Sequence, residues 1–276
     1  MTEQSTAAQM IPFVKAHACG NDFLVIEEAL ARRQHAAMAQ KLCARNTSVG
    51  ADGIEFLERR ADGSYFLRLF NADGSEAELS GNGTRCVAAW LAFSEQKTAV
   101  ALGTRGGVRD CKVISSQGEQ FLIESGMGVP QVKARTLELP EVGAVVGAEV
   151  NVGNPHFVLF VESEDFSSHG MSWQQLGGIL CSSPLFLQGT NVEFVRVLNK
   201  GEISFRIYER GCGPTTSSGT GTCASSTAAI ALHGCDTELT AHAEGGTQSV
   251  VWPSVGEPMR LTGPAEIVCV GKVAAL

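Results

Sequence analysis

Short runs rich in β-branched, aromatic and other apolar residues recur at 55–59, 65–70, 120–124, 157–161, 192–197 and 203–208, each bounded by Gly, Asn, Asp or Ser. Runs of that length and content predict strands. Helical spacing is rarer and predicts helices over 27–44, 84–93 and 222–233, the last two opening directly after a glycine-rich turn. The pattern is that of an α+β protein in which strands dominate. Near the middle the run GMGVP (126–130) interrupts it, as a linker between two domains does.

The chain also repeats itself. In its first half GNDFLVI, from Gly20, is followed by LRLFNADGSEAELSGNGTRCVAAW, from Leu67. In its second half GNPHFVLF, from Gly153, is followed by FRIYERGCGPTTSSGTGTCASSTAA, from Phe205. Each half reads as a Gly-Asn loop beside a strand, then a strand, a polar turn, Ser-Gly-x-Gly-Thr and a helix of small residues. Asn21 and Asn154 lie 133 positions apart, and Ser80 and Ser218 lie 138 apart. The order and the spacing both point to a duplicated domain.

Composition narrows the chemistry. With 44% hydrophobic and 18% charged residues among 276, the chain has the make-up of an ordinary globular protein of two packed domains or one large α/β unit, and no apolar run reaches a membrane span. A net charge of −8 disfavours nucleic acid and anionic membrane as partners. The start MTEQSTAAQM lacks the basic and apolar parts of a secretory signal, so the expected location is the cytoplasm. Nine scattered cysteines form no zinc-like spacing and read as reduced thiols, mostly core residues. Small-molecule chemistry is therefore the better expectation, with a homodimer as the expected assembly.

A Ser-Gly-x-Gly-Thr turn that opens a helix gathers unpaired backbone N–H groups and the positive end of the helix dipole at one point. One such turn is equally an ordinary capped helix. Two, facing each other across a cleft, can grip one carboxylate and leave one side chain on each face of its α-carbon, which is what racemisation requires. Asn21, Asn71, Asn154 and Asn191 in loops and the pair Glu209-Arg210 at a strand end are suited to the rest of an amino-acid ligand. As single residues they read equally well as turn formers and a surface pair.

The blocks HACGNDFLVI, VGADGIEFL, FNADGSEAELSGNGTRC, VGNPHFV, GTNVEFV and YERGCGPTTSSGTGTCA run in order over almost the whole chain, which through them resembles the diaminopimelate epimerases. The resemblance implies two pseudo-symmetric α+β domains, 1–125 completed by 263–276 and 126–262, each a curved, mostly antiparallel sheet around a central helix. It implies substrate binding by the side chains of Asn21, Asn71, Asn154, Asn191, Glu209 and Arg210 and by the backbones of Gly81, Asn82, Gly219 and Thr220. It implies no metal, no pyridoxal phosphate and no other cofactor. Two residues flank the α-carbon in such enzymes, one removing a proton and the other returning one; here those catalytic positions are Ser80 and Ser218.

The family carries cysteine at both. A free thiol has a pKa of about 8.5, and an alcohol lies roughly five units higher, so forming the alkoxide demands roughly 7 kcal/mol more at about 1.36 per unit. Two helix ends supply about 2 kcal/mol each at best. Serine therefore needs an activating group, for which Cys212 and His156 are candidates by type and place. Pro214 also departs from the family, which usually has an acidic residue there. The expected activity is epimerisation of diaminopimelate, against two alternatives: an isomerase or dehydratase of the same fold with different proton chemistry, and a non-catalytic amino-acid binder.

Overall fold

The computed structural model describes residues 10–275; apart from Met10, the amino-terminal stretch read for a leader lies outside them. Its elements fall into two sets in matching order. The first holds β1 (Met10–Ala18), β2 (Asn21–Glu27), α1 (His35–Leu42), β3 (Gly53–Arg59), β4 (Tyr65–Asn71), β5 (Glu76–Ala77), α2 (Gly81–Glu95), β6 (Ala99–Thr104), β7 (Gly107–Gln117) and β8 (Gln120–Gly128). The second begins with an extra strand, β9 (Gln131–Leu139). It continues through β10 (Gly143–Asn151), β11 (Pro155–Phe160), α3 (Trp173–Cys181), β12 (Asn191–Asn199), β13 (Glu202–Glu209), β14 (Gly213–Thr215), α4 (Gly219–His233), β15 (Glu238–Ala243), β16 (Gly246–Val251) and β17 (Met259–Ala274).

The pairings match as well. β2 runs parallel to β3 and β4 parallel to β6; β11 runs parallel to β12 and β13 parallel to β15. The remaining pairs are antiparallel, as in β3 with β4 and β12 with β13. In the first set the strands close into a barrel, because β17 pairs with β1 on one side and with β8 on the other. The beginning of β17 also pairs with β16, so this one long strand joins the two sheets.

Each sheet wraps a central helix. Residues Cys86 to Ala89 and Leu91 of α2 pack against Val14, Phe23, Leu57 and Ile123, and Cys223, Ala224, Ala228 and Ala229 of α4 against Val150, Ile203, Phe205 and Leu261. A helix enclosed on every side needs small or apolar residues all round rather than one apolar stripe. The α4 sequence TCASSTAAIAL meets that need. A second layer forms outside each sheet, where α1 covers Leu24, Ile54 and Phe56, and α3 covers Phe157, Val192 and Phe194.

Three expectations change. The helix expected over 27–44 is α1 alone: Glu27 ends β2, one 3-10 turn spans Glu28–Leu30, and Arg32 and Arg33 have φ of +48° and +64°. Left-handed residues cannot continue a right-handed helix. In GMGVP, Gly126, Met127 and Gly128 remain strand, Gly126 and Gly128 pair with β17 on either side of a register shift, and the chain turns only after them. Helices α2 and α4 each begin three residues ahead of the expected start, at the glycines that follow Ser80 and Ser218.

Candidate active site

Ser80 and Ser218 are the N-caps of α2 and α4. Each has extended backbone, and each side-chain oxygen accepts the third helical N–H, Gly83 to Ser80 Oγ at 3.0 Å and Gly221 to Ser218 Oγ at 3.2 Å. Both then lack an obstacle at the first helical position. A Cβ placed on Gly81 would stand 3.4 Å from Gly219 Cα, and one on Gly219 would stand 3.2 Å from Gly81 Cα. The two helix N-termini thus meet backbone to backbone, which glycine at both positions permits. Their free N–H groups and positive dipole ends converge on one place.

The side chains around this junction form two linked sets. On the first repeat Asn82 Nδ2 donates to Asn21 Oδ1 at 3.2 Å, and Asn21 Nδ2 donates to Asp52 Oδ2 at 2.7 Å. The buried Arg85 guanidinium donates to Asn82 Oδ1 at 2.6 Å and to Gly81 O at 3.2 Å. Gln248, from the second repeat, reaches the same Asn82 oxygen at 3.5 Å. On the second repeat Asn154 Nδ2 donates to Thr220 Oγ1 at 3.4 Å, and Thr220 Oγ1 is 3.4 Å from Ser218 Oγ. Asn154 Oδ1 accepts from His156 Nε2 at 2.9 Å, and His156 Nδ1 lies 2.6 Å from Glu193 Oε1. Both His156 and Glu193 are fully buried, which pushes the Glu193 carboxyl up while the imidazole beside it opposes the shift.

The other expected residues sit further out. Asn191 donates to Pro155 O at 3.1 Å and accepts the Arg210 N–H at 2.9 Å, so its amide fixes two loops to each other. Arg210 itself is exposed and donates to Gln188 O at 2.5 Å. Glu209 accepts from the Thr215 hydroxyl, and its carboxyl is raised chiefly by burial, with smaller contributions from Glu193 and from Asp52 of the first repeat. Asn71 donates to Ser75 Oγ at 3.0 Å within its own turn. Neither Asn71 nor the Arg210 side chain is hydrogen-bonded to the helix junction, but the charges of Asp52 and Asp73 reach Cys212, so the loop after β13 faces the Asp52 and Asp73 turns.

Cys212 does not supply a ready base. Burial raises its thiol, and Glu209, Asp73 and Asp52 raise it further, the reverse of what makes a thiolate. Cys86 and Cys223 are fully buried helix-packing residues, the latter pushed up to about 12. Sequence reasoning passes over two other acids, Glu55 on β3 and Glu193 on β12. The signal was present in the repeat: GIEFL and NVEFV place one carboxyl at the same point of an otherwise apolar strand.

Comparison with known proteins agrees with this architecture. A sequence model of the family described as Diaminopimelate epimerase matches residues 13–133 and 148–268, one block in each repeat. A diaminopimelate epimerase of Pelotomaculum thermopropionicum is 34% identical, covering 94% of this chain and 98% of its own length. One of Nostoc punctiforme is 34% identical over 95% of this chain and 99% of its own. Among solved structures, a phenazine biosynthesis protein of the PhzF family from Bacillus anthracis superposes with a TM-score of 0.72 at 16% identity, covering 97% and 100% of the two chains. A probable proline racemase from Agrobacterium radiobacter superposes with a TM-score of 0.73 at 15% identity, covering 96% and 93%. At those identities the likeness is one of fold.

Proposed function

Since the chain belongs to the diaminopimelate epimerase family, we propose that it is an isomerase that interconverts LL- and meso-diaminopimelate without a cofactor, by moving a proton at one α-carbon. The observation that carries this reading is the contact of the two helix N-termini at Gly81 and Gly219. The reacting carboxylate is held there by the backbone N–H groups of Gly81, Asn82, Gly219 and Thr220. Removing the α-proton pushes charge onto that carboxylate, and preorganised N–H groups stabilise the charge as it develops. Ser80 takes the proton from one face and Ser218 returns one on the other. Asn21, Asn154 and Glu209 bind the rest of the substrate. Asn71, Asn191 and Arg210 complete the set of side chains that bind it.

In this reading the first repeat, residues 1–125 with 263–276, and the second, 126–262, act as two domains with the substrate between them. No helix among the described residues is long and apolar enough to cross a membrane. A cytoplasmic location is supported by the cysteines, which are all free. Assembly as a homodimer belongs to the same proposal, and the exposed Val268 and Val270 on β17 are the apolar surface that supports it.

The test is α-proton exchange in heavy water, followed by NMR with LL-diaminopimelate. Exchange accompanied by appearance of the meso isomer is the expected result. Binding without exchange, or elimination in place of inversion, overturns it.

A further inference from the structure

Asn21 and Asn154 hold matching places in the two repeats, but they are held there by different means. In the second repeat the residue two beyond the asparagine is His156, and its Nε2 is 2.9 Å from Asn154 Oδ1. In the first repeat that residue is Phe23, which can neither donate nor accept. Asn21 is held from the neighbouring loop instead, where its Nδ2 donates to Asp52 Oδ2 at 2.7 Å. Asp52 stands three residues before Glu55. Three residues before Glu193, the matching acid of the second repeat, stands Thr190, whose hydroxyl donates to Asn191 O at 3.0 Å. The carboxylate on the asparagine is thus particular to the first repeat.

The Asp52 bond closes a chain of hydrogen bonds whose direction is set at both ends. At the inner end Arg85, fully buried, donates to Asn82 Oδ1 at 2.6 Å, and Gln248 Nε2 lies 3.5 Å from the same oxygen. A guanidinium has no acceptor, so Asn82 turns its oxygen to Arg85 and its Nδ2 to Asn21 Oδ1, at 3.2 Å. That leaves Asn21 Nδ2 for Asp52. At the outer end Asp52 Oδ1 accepts from Arg45 at 2.6 Å, and Oδ2 accepts the Asp22 N–H at 3.1 Å as well as Asn21. A carboxylate paired in this way only accepts. Neither amide can flip without setting donor against donor or acceptor against acceptor. The second Nδ2 hydrogen of Asn21 has no partner among the described residues, and the chain leaves it for a ligand. Across the junction, Asn154 lies between a histidine nitrogen and the Thr220 hydroxyl, each able to donate or accept, so nothing there holds the amide to one orientation.

We propose that Asp52 is a positioning residue of the epimerisation: it locks the Asn21 amide so that Asn21 meets the substrate as a hydrogen-bond donor to a carboxylate oxygen. This rests on the epimerase reading above, in which Asn21 binds substrate. A donor fixed beside two helix N-termini adds to the N–H groups already gathered there, which suits an anionic acceptor. Asp52 acts through Asn21, and Arg45 acts through Asp52. Arg45 also donates to Asp22 Oδ1 at 2.7 Å, which ties the loop that carries Asn21 to the loop that carries Asp52.

The experiment uses the full-length protein and begins with Asp52→Asn, which keeps the shape of the side chain and adds a donor. The new amide must still offer its oxygen to Arg45, so it turns its Nδ2 on Asn21 and opposes the chain. In the conversion of LL- to meso-diaminopimelate, Asp52→Asn should lower kcat/KM about ten-fold, chiefly through KM, and Asp52→Glu should restore part of the loss. In an Asn21→Ala background the same Asp52→Asn change should cost less than about two-fold, because the residue it acts through is gone. Equal losses in the two backgrounds overturn the proposal, since they mark Asp52 as a general support of the fold. A second readout needs no substrate. In the NMR spectrum of nitrogen-labelled protein the Asn21 side-chain amide is identified by its loss in Asn21→Ala. One of its hydrogens should lie downfield of those of the exposed Asn46 and exchange with water several-fold more slowly, and Asp52→Asn should abolish both differences. An Asn21 amide that ignores Asp52→Asn overturns the proposal even if diaminopimelate is not the substrate. A wild type that leaves diaminopimelate unchanged while its Asn21 amide responds sinks the functional reading and leaves the lock standing. If Asp52→Asn does not fold, the wild-type spectrum decides, because an Asn21 amide that resembles Asn46 in shift and exchange is not held by a carboxylate.

Discussion

At the scale of single residues, the site is a matter of which buried polar groups have partners. The four asparagines stand out in the sequence as loop residues, although Asn21, Asn71 and Asn191 occupy strand ends, and their tasks differ in ways no spacing reveals: Asn154 links His156 to Thr220, whereas Asn191 ties Pro155 to Arg210. Glu55 escapes notice because a lone acid in an apolar strand reads as solvent-facing until its neighbours are known. Its burial makes a stability prediction. Its carboxyl is raised from the ordinary 4.5 to about 8 by desolvation, so the folded state holds this proton more tightly than the unfolded chain. The resulting stability is fully present below about pH 4.5 and is lost as pH rises through about 8. At about 1.36 kcal/mol per unit the loss is about 5 kcal/mol as an upper bound. Urea unfolding at pH 5 and pH 8.5 should show wild type weakened at the higher pH, with Glu55→Gln flattening the difference by several kcal/mol. Equal pH dependence in the two proteins would mean that the carboxyl ionises freely in the fold.

At the scale of elements, the glycines of the two turns act for different reasons. Gly81 and Gly219 let two helix ends touch, while Gly83 accommodates a carboxyl from the strand behind it. Their backbone is helical, so space and not a left-handed φ demands glycine at these positions. Helix starts were legible only to within three residues, since periodicity begins where apolar residues do and the capping turn precedes them. The expected helix over 27–44 failed because the left-handed pair Arg32 and Arg33 carries no Gly or Pro to announce a break. A double-mutant cycle tests the role of Gly83. Gly83→Ala should destabilise by about 1–3 kcal/mol through overpacking against Glu55. In a Glu55→Ala background the same change should cost less, with a coupling above about 0.5 kcal/mol. Thermal or urea unfolding of the four proteins measures it, and strict additivity would show that the crowding at Gly83 comes from elsewhere.

At the scale of the whole molecule, duplication explains why two weak signals become a strong one: matching repeats bring two capped helices into contact at a single junction, and that symmetry was readable from Ser-Gly-x-Gly-Thr occurring twice in the same order. What the sequence could not reveal is how far the halves have diverged behind the caps, where His156 backs Glu193 and Phe23 leaves Glu55 alone. The double change Ser80→Cys and Ser218→Cys puts an ionisable thiol at each helix end without altering the loops. A thiol needs less help than an alcohol, so the double variant should epimerise diaminopimelate at least as fast as wild type. One cysteine alone should favour α-proton exchange over inversion, because the opposite face still returns its proton through serine. Sulfur is a weaker cap acceptor than a hydroxyl, so each substitution should also cost up to about 1 kcal/mol of stability, to be measured by unfolding alongside the rates. Deuterium incorporation and meso product, followed together by NMR across the serine, single-cysteine and double-cysteine proteins, separate these outcomes. If the double variant folds, binds diaminopimelate and exchanges nothing, the thiols are not placed to reach the α-carbon, and the two helix ends would have to be reassigned from catalysis to binding alone.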